Sequence, residues 1–328
     1  MHALVLLLYI ILLFVVVLLH VAYATYFERK IIGHMQVRMG PMEACWHGIL
    51  QPFADGIKCF FKEDVVPDQV DRLCFRLAPI VSFTAMTASL AVLPFAPGWV
   101  VADIDIGLLF IFAMSGLGSY GVVLAGWGSN SKFSFLGGLR SMAQVISYEI
   151  AMGLSLVGVM LMAGTLNLSA IVAAQGSTFT GMYIFPQIIG FGVFFVAMLA
   201  ETNRVPFDLP EAESELVSGY STEYSGFRYA MFFMAEYIGM FVMSAIGTVC
   251  FFGGWSGPFA VPFFPAFWFV LKVYAFMFVF IWIRATMPRY RYDQLMTLGW
   301  KWLIPLALAN VVLTALCKAT VQGYLLRG

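Results

Sequence analysis

Charge is scarce in this chain of 328 residues: 11% is Asp, Glu, Lys or Arg, against about 25% in ordinary soluble domains. So little charge excludes a water-facing surface for most of the chain. Cysteine is sparse too, and its five copies (Cys45, Cys59, Cys74, Cys250, Cys317) form no CxxC pair. The four histidines are scattered; His34 and His47 share a loop without ligand spacing. Neither a disulfide framework nor a metal, haem or iron–sulfur site is therefore expected. There is no glycine-rich nucleotide loop, coiled coil, low-complexity tail or internal repeat, and the last absence counts against a transporter built from inverted halves. Net charge is zero, which leaves no electrostatic footprint for nucleic acid.

What abounds is apolar: 61% of the residues, gathered in blocks. About 20 consecutive apolar residues let a helix cross the hydrocarbon core, and backbone in lipid must satisfy its own hydrogen bonds. The reading is all-α: a polytopic integral membrane protein, one membrane domain over 1–328, with eight spans. These are expected near 3–25, 73–96, 107–127, 142–164, 182–200, 228–252, 262–283 and 302–322, the fifth being the weakest because Pro186 interrupts it. The first block has no basic start and its charge follows it, in Glu28-Arg29-Lys30, so it reads as a retained span with the N-terminus outside. An even span count returns the C-terminus to that side. Of the 18 Lys and Arg residues, 15 then fall at the inner ends or in the inner loops, as the positive-inside rule requires.

Three inner segments do not read as plain connections. In 26–72, Trp46, Ile49, Leu50, Phe53, Ile57, Phe60 and Phe61 form a helical stripe, with His47, Gln51, Asp55, Lys58 and Lys62 opposite. Pro52 either breaks that helix or begins a second one. The stripe fits an interfacial helix or the roof of a cavity into which Asp55 and Lys58 point. In 201–224, six carboxylates (Glu201, Asp208, Glu211, Glu213, Glu215, Glu223) share the run with Arg204 and with interleaved Val205, Pro206, Phe207, Leu209 and Leu216. A loop free in water needs no such apolar residues, and crowded half-buried acids shift toward neutral pKa values. In 284–293, Arg284, Arg289 and Arg291 alternate with aromatics, and either meet anionic lipid or act as counter-charges to the acidic run. Within the spans, Glu149, Glu236 and Lys272 are functional candidates, because a charge at mid-membrane costs about 3 kcal/mol.

These segments carry a family resemblance along the whole chain. It rests on Glu28-Arg29-Lys30, Gln51-Pro52-Phe53-Ala54-Asp55-Gly56-Ile57-Lys58, Phe61-Lys62-Glu63, Gly126-Trp127-Gly128-Ser129-Asn130-Ser131-Lys132 and Ser147-Tyr148-Glu149. The acidic run, Phe232-Phe233-Met234-Ala235-Glu236-Tyr237, Trp282-Ile283-Arg284 and Arg289-Tyr290-Arg291-Tyr292-Asp293-Gln294 complete it. The chain resembles the quinone-site membrane subunit of respiratory complex I, a family with bacterial and mitochondrial members, and Pro97–Asp103 resembles the bacterial form. After Gly40-Pro41 the family usually continues Asn-Arg-Val-Gly-Pro, where this chain has Met42-Glu43-Ala44-Cys45-Trp46, so the resemblance does not carry over to 42–47.

The resemblance implies a subunit of the proton-pumping NADH:quinone oxidoreductase in a bacterial inner membrane. Quinone, ubiquinone or menaquinone, is then the bound substrate, with no flavin, metal or iron–sulfur cluster in this chain. It implies a quinone chamber with Arg29, Arg38, Asp55, Lys58, Phe233, Arg284, Arg289 and Arg291 along it. It implies proton coupling through Glu149, Glu201, Asp208, Glu211, Glu213, Glu215, Glu223 and Glu236. Peripheral-arm iron–sulfur subunits and small and antiporter-like membrane subunits are the implied partners. A membrane subunit of an energy-converting hydrogenase is the nearest alternative, against which the full acidic run and the arginine-rich segment argue. A stand-alone ion transporter is the third.

Overall fold

The computed structural model describes residues 2–176, 181–210, 213–257 and 265–325, and side chains within 7–176, 181–210, 215–257 and 265–320. The described residues build twelve α-helices and no strand beyond one isolated bridge between Ala96 and Trp99. Seven membrane-length helices form the frame. These are α1 (His2–Met35), α3 (Arg72–Ser89), α4 (Gly107–Gly128), α5 (Lys132–Ala163), α9 (Gly226–Phe251) and α10 (Pro265–Thr286). The seventh runs through α11 (Tyr292–Thr297), a π-helical turn over Leu298–Leu303 and α12 (Ile304–Leu325). The expected fifth span is the 14-residue α7 (Ile188–Glu201), which starts just after Pro186. Shorter helices are α2 (Gln51–Phe61), α6 (Leu168–Ala174) and α8 (Glu213–Leu216).

Three expected spans are longer than their apolar blocks, among them α5, which starts at Lys132 rather than 142. Helix α1 runs beyond residue 25 through Glu28-Arg29-Lys30 to Met35, and the last helix starts at Tyr292 rather than 302. Hydropathy marks only where side chains prefer lipid, whereas a helix satisfies its backbone on either side of that boundary. At about 1.5 Å per residue the 34 residues of α1 reach about 51 Å, well past a hydrocarbon core of about 30 Å. Glu28 is thereby held on a rigid helix instead of a loop.

Helices α5 and α9 are the centre of the bundle. In α9, 67% of the most apolar window is buried, against 17% in α1 and in the last helix. Lipid tails are as apolar as leucine, so close backbone approach and polar contacts hold such helices together. Ser82 of α3 donates to the Gly118 carbonyl of α4 at 3.1 Å, and a Cβ on Gly121 would collide with Ser82 Oγ. Gly126 of α4 and Gly138 of α5 meet in the same close way.

At the start of α7, Gln187 receives Asn310 at 2.7 Å and donates to Thr314 at 2.7 Å, tying α12 to α7. In the non-helical turn before α7, Met182, Tyr183 and Gln187 are buried, while Phe185 and Pro186 stay exposed. Lys272, a candidate on its intramembrane position alone, donates to the carbonyls of Phe252, Gly254 and Ser256 at 2.5, 3.0 and 2.5 Å. It closes the C-terminal end of α9 and is satisfied within this chain.

Candidate functional site

The ionisable residues converge where α1, α7, α9 and α10 meet. Arg204, in the turn after α7, is the hub, with its side chain only 7% exposed. Its Nη1 lies 3.2 Å from Glu28 Oε1 and its Nε 2.5 Å from Glu236 Oε1, while its guanidinium covers the Tyr237 ring at 4.6 Å. Arg284, at the end of α10, also contacts Glu28 Oε1, and Tyr237 donates to Glu28 Oε2 at 2.5 Å. Two guanidinium groups and two carboxylates are drawn together from residues as far apart as 28 and 284. Burial by itself lowers the pKa of Arg204, but Glu236 and Glu28 outweigh it and push the value up, so Arg204 stays cationic.

Asp208 continues the cluster toward the surface, with Arg289 Nη2 at 3.0 Å. Burial raises its pKa above the ordinary aspartate range, and Arg289, Arg284 and Arg204 pull it back down. The turn that presents Arg204 and Asp208 is fixed by Gln144 of α5. Its Nε2 donates to the carbonyls of Ala200 and Phe207 at 2.7 and 2.8 Å and to Asn203 Oδ1 at 3.1 Å. The Val205–Pro206 peptide is cis, Tyr290 N donates to the Pro206 carbonyl at 3.0 Å, and the Tyr290 and Phe207 rings stack. Phe207, Leu209 and Leu216 are buried, which is why apolar residues interleave with the acids.

The acidic run therefore divides. Glu201 and Asp208 point into the protein, whereas Glu215 is 59% exposed and pairs with Arg140 at 2.6 Å. Glu223 is partly buried. Glu211 and the side chain of Glu213 lie outside the described residues. Glu201 accepts a hydrogen bond from Ser115 of α4 at 2.5 Å, and its second oxygen, also buried, has no partner. One residue on, Gly116 leaves room for Glu149 of α5, whose Oε1 would sit 3.3 Å from a Cβ there. Between Glu201 and Glu236 lies a pocket with about 660 Å³ free of protein atoms. Ser82, Ser115, Ser119, Ser141, Thr202 and Tyr220 put hydroxyl groups on its wall.

The residues read as chamber groups are distributed less evenly. On α2, Asp55 pairs with Arg29 of α1 at 2.7 Å and accepts from Gln51 at 3.0 Å, while Lys58 is exposed. Pro52 sits in the first turn of α2, and a separate 3₁₀ turn covers Trp46–Gly48, so the stripe is broken before residue 51. Phe53, Ile57, Phe60 and Phe61 are exposed in the single chain. Phe233 packs between Tyr229 and Tyr237. Arg289 is a counter-charge to Asp208 of the acidic run, whereas Arg284 pairs with Glu28, outside that run. Arg291 stays 79% exposed beside Asp293, and exposed Arg38 reaches only Gln36.

Sequence reasoning did not single out Glu28 as a site residue or see Arg204 as the hub. An acid within helical reach of the end of a long apolar block was the available signal for Glu28. Ser115 carried none, because a serine in an apolar helix usually bonds its own backbone.

Fold and site together define a polytopic integral membrane protein with carboxylates and guanidinium groups paired inside its helix bundle. The family model described as NADH dehydrogenase matches residues 8–315. The chain is 53% identical to the NADH-quinone oxidoreductase H subunit 1 of Geobacter sulfurreducens over 323 residues, which is 92% of each chain. It is 54% identical to the H subunit of Rhodospirillum rubrum over 299 residues (90% of this chain and 88% of that one), and 53% identical to the H subunit of Rickettsia typhi over 304 residues (91% and 89%). The chain belongs to the family of the H subunits of NADH-quinone oxidoreductase, complex I. It is a multi-pass membrane component of that enzyme and associates with other subunits of it. Among the described residues, no group of three or more His, Cys, Asp or Glu side chains could hold a metal ion.

Proposed function

We propose that this chain forms the membrane wall of a quinone chamber and transmits quinone reduction to proton translocation through its carboxylates. The chamber side comprises Arg29, Arg38, Asp55, Lys58, Phe233, Arg284, Arg289 and Arg291. The coupling side comprises Glu149, Glu201, Asp208, Glu211, Glu213, Glu215, Glu223 and Glu236. The observation that carries this reading is the buried Glu28–Arg204–Glu236 cluster with Arg284. It joins Glu28 of α1, whose neighbour Arg29 pairs with Asp55, to the pocket between Glu236 and Glu201. A change of charge beside Arg29 and Asp55 is felt at Glu28, and Arg204 carries it to Glu236 without a moving part. Peripheral-arm iron–sulfur subunits supply the electrons, antiporter-like subunits receive the output, and the chain lies in a bacterial inner membrane with both termini outside. Whether the quinone is ubiquinone or menaquinone makes no difference to these steps.

The test is Asp55→Ala in the assembled complex. Quinone reduction falls sharply while NADH oxidation by an artificial acceptor is unchanged. Glu213→Gln lowers quinone reduction and proton pumping together and spares the acceptor activity, because a coupled machine stops when its proton step is blocked. Full activity in both variants overturns the reading.

A further inference from the structure

Every described arginine except Arg38, Arg72 and Arg76 pairs with a carboxylate of this chain. Arg72 and Arg76 occupy the first two turns of α3, four residues apart and therefore on one face. That is an unfavourable place for them. Like charges at this spacing repel, and a helix N-terminus already carries positive partial charge, which cations worsen and anions relieve. The first turn holds no acidic residue, and the N-cap Asp71 is engaged by the amides of Leu73 and Cys74.

The two guanidinium groups share the wall of an open pocket of about 410 Å³ with Pro67, Asp68, Phe75 and Arg228. Arg228 enters from the start of α9, lies over the Phe75 ring at 5.4 Å and binds Asp64 at 3.1 Å. Its Nη1 is buried and has no hydrogen-bond partner. Three arginines thus share the pocket wall with one acid, Asp68, and Asp64 pairs with Arg228 beside it, around a space large enough for a tetrahedral anion. Leu73, Leu77 and Ile80 are exposed and continue the Arg76 face along α3. Helix α3 is a membrane span that begins at Arg72, so this pocket sits at the Lys/Arg-rich boundary of the membrane with an apolar track running into it.

We propose that Arg72, Arg76 and Arg228 form a site for the phosphate group of an anionic phospholipid, whose acyl chain lies along Leu73, Leu77 and Ile80. A bound phosphate cancels the like-charge conflict at the helix start and gives Arg228 Nη1 its missing acceptor. The apolar track favours a lipid over a free phosphate, which has no use for it.

The test is native mass spectrometry of the full chain in detergent, with phosphatidylglycerol, phosphatidylcholine or inorganic phosphate added. The chain retains phosphatidylglycerol over phosphatidylcholine. Each arginine near an anionic head group is worth about a fivefold effect, so R72Q/R76Q weakens retention roughly 25-fold and R72K/R76K far less. In neutral lipid the R72Q/R76Q chain melts no lower than the parent, because a repulsive pair has gone; if it melts lower, single R72Q and R76Q are judged by the same retention criterion. Equal retention of phosphatidylglycerol by parent and Gln variants overturns the proposal. So does its displacement by inorganic phosphate, or loss of a neighbouring subunit from the variant complex with lipid retention unchanged.

Discussion

Arg204 is the residue on which the buried cluster depends. It meets Glu28 and Glu236 with 7% of its side chain exposed, so its removal leaves two acids facing one another in a poorly solvated site. Breaking a buried ion pair from one side costs about 3–5 kcal/mol, whereas removing both partners costs much less. Arg204→Gln is therefore expected to lower the thermal stability of the chain severely, and Arg204→Gln/Glu236→Gln to recover more than half of that loss. A double variant as unstable as the single one contradicts the pairing. Asp208 gives a pH-dependent counterpart. Its folded pKa lies above the ordinary aspartate value because of burial, so the stability it contributes is complete below that ordinary value and is lost as pH rises through the folded one. Arg289→Gln removes the main counter-charge and moves that loss to higher pH, which melting curves recorded across acidic pH will register.

Among the elements, α4 is the one whose composition matters most for its position. Its Gly118 and Gly121 let α3 approach, Gly126 lets α5 approach, and Ser115 with Gly116 faces Glu201 and Glu149. A Cβ on Gly121 would stand 2.8 Å from Ala78 O and Ser82 N, which are backbone atoms that cannot rotate away. Overpacking of this kind costs about 1–3 kcal/mol. Gly121→Ala is expected to lower the melting temperature, and Gly153→Ala in α5, where nothing lies within 4 Å, to leave it equal or higher. Equal effects at the two positions would show that α3 and α4 are not held by close approach. Glycines in an apolar block say that some helix comes near, but not which one.

At the scale of the whole molecule, the side assignment turns on α7. Fourteen residues reach about 21 Å, short of the hydrocarbon core of about 30 Å. Eight of its residues are buried, and Gln187 at its start is held by Asn310 and Thr314, while Phe185, Pro186, Ile188 and Ile189 around that start are exposed. Read as a crossing, it makes the count even. Reporters fused near Lys132 and Arg289 are then expected to report the cytoplasmic side, and those near Gly257 and the C-terminal end the external side. A cytoplasmic signal at Gly257 would mean that α7 turns back without crossing, and would invert every helix after it.

Hydropathy alone determined the helical, polytopic class, because lipid gives a backbone only one way to satisfy itself over about 20 residues. The apolar residues woven into 201–224 likewise announced a packed loop. Partnership was different. Glu28 and Arg204 are separated by 176 residues, and Glu28 and Arg284 by 256. A charge shows in sequence as a cost, but the group that offsets it is chosen by which helices lie side by side. The same limit divided the acidic run, where Glu201 and Glu215 look alike in the chain. Only tertiary structure put Glu201 against Ser115 inside the bundle and Glu215 against Arg140 at its surface. Local pattern sets the cost of placing a charge, and packing decides what meets it.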